Sequence, residues 1–140
     1  MTQNEKDLLL KDLCARLPYG VKAEKYTIRI DGEFVPLANI EIVTAKDILA
    51  RNECPGYTIK PYLFPLSSMT EEQYYEMMSC SSEDCLDHME MVKSLRECTD
   101  FTHWPLYEYR VIDWFNKNHF DYRGLIPMDL AIDATNKDIY

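Results

Sequence analysis

A short run of residues near the end of the chain has the types that general acid–base chemistry requires. His119 is followed by Asp121 and Arg123, and Asp113 lies six residues before His119. A histidine beside a carboxylate can transfer protons, and together with Asp113 the two could ligate a metal. A structural role explains the same run: His119 stands where a helix is predicted to end, and Arg123 would pair with Asp121.

A second cluster carries residue types that zinc accepts. Cys80, Cys85 and His88 follow one another at short intervals, and Cys98 comes ten residues later. The spacing lacks the tight C-x2-C knuckle. If 83–98 forms one helix, Cys98 lies about 15 Å beyond His88, so the four could not meet one ion. Cys85 also fits as a small apolar residue on a buried helix face. We therefore expect no metal and no cofactor.

Signatures of other enzyme classes are missing from the sequence. It contains no Gly-x-Ser-x-Gly elbow, and none of the three histidines has an obvious serine or cysteine partner. With four glycines it forms no Gly-rich loop for a phosphate. The balance favours a protein that is not an enzyme.

The net charge of −9 is unevenly distributed over the 140 residues. Residues 1–69 carry nine basic and nine acidic side chains, whereas residues 70–100 carry two basic and nine acidic ones. Direct binding of nucleic acid needs a basic excess, so this distribution argues against it. The acidic stretch instead predicts a solvent-exposed helical face that would bind a protein with a basic surface.

Tyrosines accompany the acidic stretch, and tyrosine is enriched at protein interfaces. One helix face cannot bury all of them, so we expect some to remain exposed. The predicted protein-binding residues are Tyr75, Glu76, Glu83, Asp84, Asp87, Glu90 and Tyr109.

The first half of the chain predicts a helix followed by a hairpin. A helix over 4–17 would begin at Asn4 and bury Leu10, Leu13, Cys14 and Leu17. Asp31-Gly32 is typical of a two-residue type I′ turn, which places Ile28 opposite Val35 and Tyr26 opposite Leu37. Pro36 lacks an N–H, so its strand should lie at an edge or end there.

Later elements are predicted from caps and breaks. Thr44 and Thr70 each stand three residues before a side chain that can complete a cap, Asp47 and Gln73. A strand is expected around Tyr57–Ile59 and a third short one at Ile40–Ile42. The helix that follows Thr70 is acidic, and a second acidic helix is expected after Ser81 or Ser82. A last helix is expected from Pro105 to about Asn118, followed by a strand or packed tail over 130–140.

Together these elements predict one α+β domain over 1–140. The N-terminal helix packs on a small antiparallel sheet or partial barrel (20–66), and two or three helices (70–118) and a packed tail follow. The pattern leaves open a closed barrel or an open sheet. The predicted core is Leu10, Leu13, Leu17, Ile28, Ile30, Val35, Ile42, Leu63, Met89, Val92, Val111, Trp114 and Phe115.

The sequence predicts a cytoplasmic protein. It begins with no secretory signal, and no apolar stretch approaches the roughly 20 residues needed to cross a membrane. The five cysteines are therefore interpreted as free thiols.

Three stretches resemble a known family. They are Leu8–Lys22, Ile59–Gln73 and Asp113–Tyr140, and they contain the words DLCARLPYGVK, KPYLFPLSSMTEE and HFDYRGLI. The same words in the same order occur in short uncharacterised proteins of gut anaerobic bacteria and their prophages or mobile elements. The resemblance implies a bacterial or phage cytoplasmic setting, and it brings no activity, ligand or catalytic residue with it.

Three functional hypotheses follow from these observations. The preferred one is a small non-enzymatic module that binds an unidentified basic protein partner through the acidic, tyrosine-rich helices. The alternatives are a small metal-dependent enzyme using His119, Asp121 and Asp113, and a homo-oligomeric structural module that pairs through its sheet edge.

Overall fold

The computed structural model describes residues 1–29, 31–37, 39–54, 56–80 and 109–140. Its helices and strands are, in chain order, α1 (Gln3–Arg16), β1 (Lys22–Ile28), β2 (Phe34–Pro36), β3 (Glu41–Ile42), α2 (Ala45–Glu53), β4 (Tyr57–Leu63), α3 (Glu71–Ser79), α4 (Tyr109–Lys117) and β5 (Ile132–Asp133). The second predicted acidic helix and the start of the last helix at Pro105 lie outside the described residues.

The strands form one curled sheet in the order β2-β1-β4-β5, which makes the fold an α+β half-barrel. β3 pairs with β1 on the same side as β2, because β4 occupies the other side. β5 joins β4 in parallel, so the sheet is mixed rather than antiparallel. The sheet is open, which settles the question that the sequence pattern left undecided, and the predicted tail strand is confirmed.

The register predicted for the hairpin is wrong by one residue. Tyr26 pairs with Pro36 and Ile28 with Phe34. A type I′ turn needs positive φ at both Asp31 and Gly32, but only Gly32 has it, at 86°. Arg29 N–H donates to Glu33 O at 2.9 Å and Gly32 N–H donates to Arg29 O at 2.9 Å. The loop therefore spans three residues, the next most common hairpin geometry, and the strands shift accordingly.

The core-facing side of β1 is also the opposite of the predicted one. Ala23 and Lys25 are buried, whereas Ile28 is 40% exposed. The Lys25 ammonium lies 2.8 Å from Glu41 and 2.9 Å from Asp47, and this pairing offsets the cost of burying its charge. Because Lys25 is charged, the pattern of apolar residues does not show which side of β1 faces the core.

Pro36 lies on the edge strand, as predicted. Hydrogen-bonded pairs alternate along an antiparallel ladder. Arg29 bonds to Glu33 and Leu37 N–H donates to Lys25 O at 2.7 Å, so Pro36 falls where the backbone nitrogen points away from β1. Its missing N–H therefore costs no bond to β1 and removes a donor from the outer edge. This protects the edge against pairing with another chain.

Helix α1 begins earlier than predicted and buries a different face. Thr2, not Asn4, is the N-cap, and it forms a capping box with Glu5. The buried positions are Leu9, Asp12, Leu13 and Arg16, while Cys14 is exposed. Two charged residues on the inner face hid this stripe, since a pattern of apolar residues alone selects Leu10 and Leu17, which are only half-buried.

The two other predicted caps are confirmed. Thr44 and Thr70 form capping boxes at the starts of α2 and α3. β4 continues beyond the predicted Ile59 to Leu63, and Pro61 lies opposite Ala23 within it. The strand therefore reaches the point where β5 joins it at Tyr62 and Leu63.

Two apolar clusters form the core. One joins α1 and α2 to β1 and β4 and contains Leu9, Leu13, Ala23, Ile59 and Leu63. The other joins α3 to α4 and contains Tyr74, Met77, Val111, Trp114 and Phe115.

Of the predicted core, Leu13, Leu63, Val111, Trp114 and Phe115 are buried. The prediction that Ile28 and Ile42 are buried was wrong, since they are 40% and 54% exposed. Leu10, Leu17 and Val35 are half-buried, and Ile30, Met89 and Val92 lie outside the described residues. Over the described parts of the chain, no helix combines the length and apolarity that a membrane crossing demands.

The burial pattern predicts different costs for two isoleucine truncations. Ile59→Ala removes a fully buried side chain and should lower the free energy of unfolding by about 2–5 kcal/mol. Ile42→Ala acts on an exposed strand end and should cost less than about 1 kcal/mol. Urea denaturation of both variants measures the difference, and equal costs would show that β3 is packed otherwise.

Candidate functional site

His119 lies immediately beyond the C-terminal end of α4, in the left-handed conformation with φ 59°. The Phe120 N–H donates to Phe115 O at 3.0 Å, and the His119 N–H donates to Asn116 O at 3.3 Å. These two bonds define a Schellman motif, in which glycine usually holds the position that His119 occupies here. The rings of Phe115 and Phe120 lie 6.4 Å apart and supply the apolar contact that accompanies the motif.

The His119 side chain is buried and neutral. Its ring stacks on Tyr140 at 4.0 Å, with an interplanar angle of 13°. Burial, together with the nearby Arg16 charge, lowers the pKa of His119 from 6.5 to about 4. Its Nδ1 atom has no hydrogen-bond partner among the described residues. The imidazole is therefore held by stacking, and it does not cap the helix as a cation.

Asp121 and Asp113 make separate structural contacts. Both carboxylate oxygens of Asp121 accept backbone N–H bonds at 2.8 Å, from Leu125 and Ile126. Burial raises the pKa of Asp121 although these bonds oppose the shift. Asp113 is exposed and accepts a hydrogen bond from the Tyr19 hydroxyl. The His119, Asp121 and Asp113 hypothesis needs convergence on one ion, and the described residues contain no such cluster of three or more metal-ligand side chains.

The predicted pairing of Arg123 with Asp121 is wrong, because Arg123 belongs to a buried cluster on α1. Its Nη1 lies 3.3 Å from Asp12 Oδ1, while the other Asp12 oxygen accepts from Arg16 Nε at 2.8 Å. The centre of the Tyr122 ring lies 5.5 Å from the Arg16 guanidinium and 4.7 Å from that of Arg123. One carboxylate thus holds two cations, which also contact an aromatic face.

Arg16 extends this cluster to the end of α4. It is fully buried, and its Nη1 and Nη2 donate to Phe115 O at 3.3 Å and to Phe120 O at 2.7 Å. A cation at the C-terminal end of a helix is favourable, because the helix dipole places partial negative charge there. The arrangement locks α1 to α4, and its burial leaves it no access to substrate.

A second polar cluster occupies the other face of β1 and β4. The Glu24 carboxylate accepts hydrogen bonds from the Tyr26 and Tyr62 hydroxyls. These bonds lower the pKa of Glu24, while burial and the bond to Glu24 raise the pKa of Tyr26 to about 12. All three groups are therefore fixed in one protonation state near neutral pH, which suits a structural ladder rather than proton transfer.

The zinc candidates can be located only in part. Cys80 follows the last residue of α3, where its thiol lies 3.5 Å from Glu76 O. Cys85, His88 and Cys98 lie outside the described residues. Cys14, Cys54 and Cys80 are free thiols.

Two of the residues predicted for protein binding, Tyr75 and Glu76, lie on α3. Tyr75 is 47% exposed, and Glu71, Glu72 and Glu76 beside it are also exposed. Tyr109, on the neighbouring helix α4, is 76% exposed. The remaining predicted members, Glu83, Asp84, Asp87 and Glu90, lie outside the described residues.

Sequence reasoning missed Asp12 and Arg16. Their spacing of four residues places both on the helix face that carries Leu9 and Leu13, which is the one signal that the sequence offers. An i,i+4 ion pair usually indicates a solvated face, so the signal favours the wrong interpretation.

Comparisons of the chain with protein-family models, curated proteins and solved structures find no match. Its function must therefore be inferred from its own geometry.

Removing the shared carboxylate should destabilise the fold strongly. Asp12→Asn keeps the side-chain shape but leaves Arg16 and Arg123 buried without a counter-charge, which should cost about 3–5 kcal/mol. Asp7→Asn, on the exposed side of the same helix, should cost less than about 1 kcal/mol. Urea denaturation at pH 7 compares the two, and similar small costs would contradict the role given to Asp12.

Acid should destabilise the protein through His119. Because the pKa of His119 falls to about 4 on folding, the unfolded chain accepts a proton that the folded chain refuses. The resulting stability is complete above pH 6.5 and is lost as the pH falls towards 4. The shift corresponds to about 3 kcal/mol at most.

His119→Asn tests this effect, since asparagine tolerates the left-handed conformation and does not titrate. Urea denaturation between pH 7 and pH 4 should show the wild type losing more stability than His119→Asn. Titrating carboxylates are common to both proteins, so the difference isolates His119. Parallel curves would mean that the imidazole is not buried as a neutral group.

Proposed function

We propose that the protein is a small non-enzymatic module that binds a basic protein through the outer face of α3. The observation that supports this proposal is an exposed tyrosine, Tyr75, surrounded on one helix by Glu71, Glu72 and Glu76. The opposite side of the helix is buried through Tyr74, Met77 and Met78.

The charges on this face have no compensation within the helix. Residues 70–80 contain no lysine or arginine. Two of the glutamates, Glu71 and Glu72, have an internal role as well, because acidic residues in the first turn stabilise a helix. Glu76 lies beyond that turn, so the helix dipole does not account for it. A basic partner surface would be steered towards this face, and its association rate would fall with added salt.

Tyr75 gives the face a residue that can contribute affinity as well as attraction. Its hydroxyl donates to Glu71 at 3.4 Å, and its ring meets Tyr74 edge-on with centroids 6.0 Å apart. These contacts orient the ring while nearly half of the residue stays exposed. An oriented aromatic side chain loses little entropy on binding, which is why tyrosine is frequent among the residues that dominate interface energy.

The alternatives have less support in the described geometry. Metal-dependent catalysis requires His119, Asp121 and Asp113 in one cleft, whereas backbone N–H groups hold Asp121 and Tyr19 donates to the exposed Asp113. Pairing of two copies through the sheet edge meets Pro36, which removes a donor there.

A capture experiment with matched variants tests the proposal. The wild-type chain, Tyr75→Ala and the double variant Glu72→Lys/Glu76→Lys are immobilised and exposed to bacterial lysate in about 0.05 M and about 0.5 M salt. The expected result is one or more basic proteins that bind the wild type in low salt. Both α3 variants should bind the purified partner about tenfold more weakly or worse.

The control is Glu33→Lys/Glu53→Lys, which changes the net charge equally at two exposed positions away from α3. It should retain the partner, and circular dichroism verifies that every variant is folded. If the control loses the partner to the same extent as the α3 variants, overall charge rather than the α3 face is the cause of binding. Capture that is indifferent to all three variants would refute the proposal.

A further inference from the structure

A cleft outside the acidic face lies where the N-terminal end of α1 approaches the sheet. It consists of two adjoining cavities of about 320 and 480 Å³, which are the volumes typical of small-molecule sites. Both are lined by Met1, Phe34 and Thr58. The smaller one adds Lys6, Asp7, Leu10, Arg51 and Tyr57.

Arg51 is one of two cationic side chains in the smaller cavity, and unlike Lys6 it is half-buried. Its guanidinium donates to Lys6 O at 3.3 Å and lies 3.6 Å from Met1 Sδ. Within the described ranges, no carboxylate approaches it to 4.0 Å. Burial lowers the pKa of Arg51, with a small opposing effect from Asp7. A half-buried guanidinium without a carboxylate partner gains most binding free energy from an anion that accepts two of its hydrogen bonds.

Thr58 lines both cavities. Its hydroxyl oxygen is buried and has no partner in the part of the chain that the structure describes. The aromatic rings of Phe34, which is 57% exposed, and Tyr57 line the same cavity. Apolar walls with a few convergent polar groups are the usual design of a ligand site.

We propose that this cleft binds a small aromatic carboxylate, with its carboxylate on the Arg51 guanidinium and its ring against Phe34 and Tyr57. Lys6, Arg51 and Asp7 give the smaller cavity, which would receive the carboxylate, one net positive charge, whereas Glu5, Lys60 and Asp129 give the larger cavity one net negative charge. That balance suits a monoanion, since a phosphate dianion would meet repulsion from Asp7. The site shares no residue with the α3 face, so it stands or falls independently of the proposed protein binding.

The test is a panel of aromatic carboxylates (benzoate, phenylacetate, 3-phenylpropionate and indole-3-acetate), each paired with its neutral primary amide. Ligand-observed NMR with the full chain should detect at least one acid with a dissociation constant of about 1 mM. Its amide should bind about tenfold more weakly or worse, because the charged hydrogen bond is lost. In protein-observed NMR spectra recorded with that acid, the backbone resonances that shift should be those of Thr58 and its neighbours.

Two variants examine the assigned contacts. Arg51→Gln should abolish the preference for the acid over the amide, whereas Lys46→Gln, at an exposed position on the same helix, should keep it.

Three results would overturn the proposal. They are no binding by any acid at about ten times the expected dissociation constant, equal binding of acids and amides, and shifts located away from the cleft. If Arg51→Gln does not fold, Arg51→Lys replaces it. The lysine keeps the charge but loses the two-pronged contact, and it should lower the affinity for the acid while leaving the amide unaffected.

Discussion

The Arg16 guanidinium is buried between α1 and the C-terminal end of α4, and its hydrogen bonds to Phe115 O and Phe120 O join segments about a hundred residues apart in the chain. Asp12 compensates its charge, and the same carboxylate holds Arg123. The end of α4 then continues into residues that bond to the sheet, since Asp121 N–H donates to Phe64 O at 2.8 Å. A buried ion cluster of this kind specifies one mutual placement of helices and sheet, because any other would leave charges unpaired.

The sequence could reveal local contacts, but it could not reveal faces that bury compensated charges. Capping boxes at Thr44 and Thr70 were predictable because a cap is a contact between residues three positions apart. The inner faces of α1 and β1 were not, since Arg16 and Lys25 are buried only because Asp12, Glu41 and Asp47 compensate them. The parallel strand β5 pairs residues seventy positions apart, which local patterns cannot indicate.

The candidate functional residues divide in the same way. The exposed Tyr75 follows from helical periodicity once the capping box fixes the start of α3, so this part of the acidic face was foreseeable. The run from His119 to Arg123 suggested chemistry because its residue types are reactive, yet backbone N–H groups, stacking and ion pairs occupy it. The cleft at Arg51 was not foreseeable, because its lining comes from α1, β2, α2 and β4.

The parallel pairing of β5 with β4 also bears on how the chain folds during synthesis. The first half supplies α1 and β1 to β4, but among the described residues the outer edge at Tyr62–Phe64 pairs with Ile132–Asp133 and with Phe120. Until those residues leave the ribosome, the nascent chain presents a strand edge with free backbone groups beside Leu63. Such edges are where aggregation begins. The period of greatest exposure to misassembly is therefore the synthesis of roughly the second half of the chain.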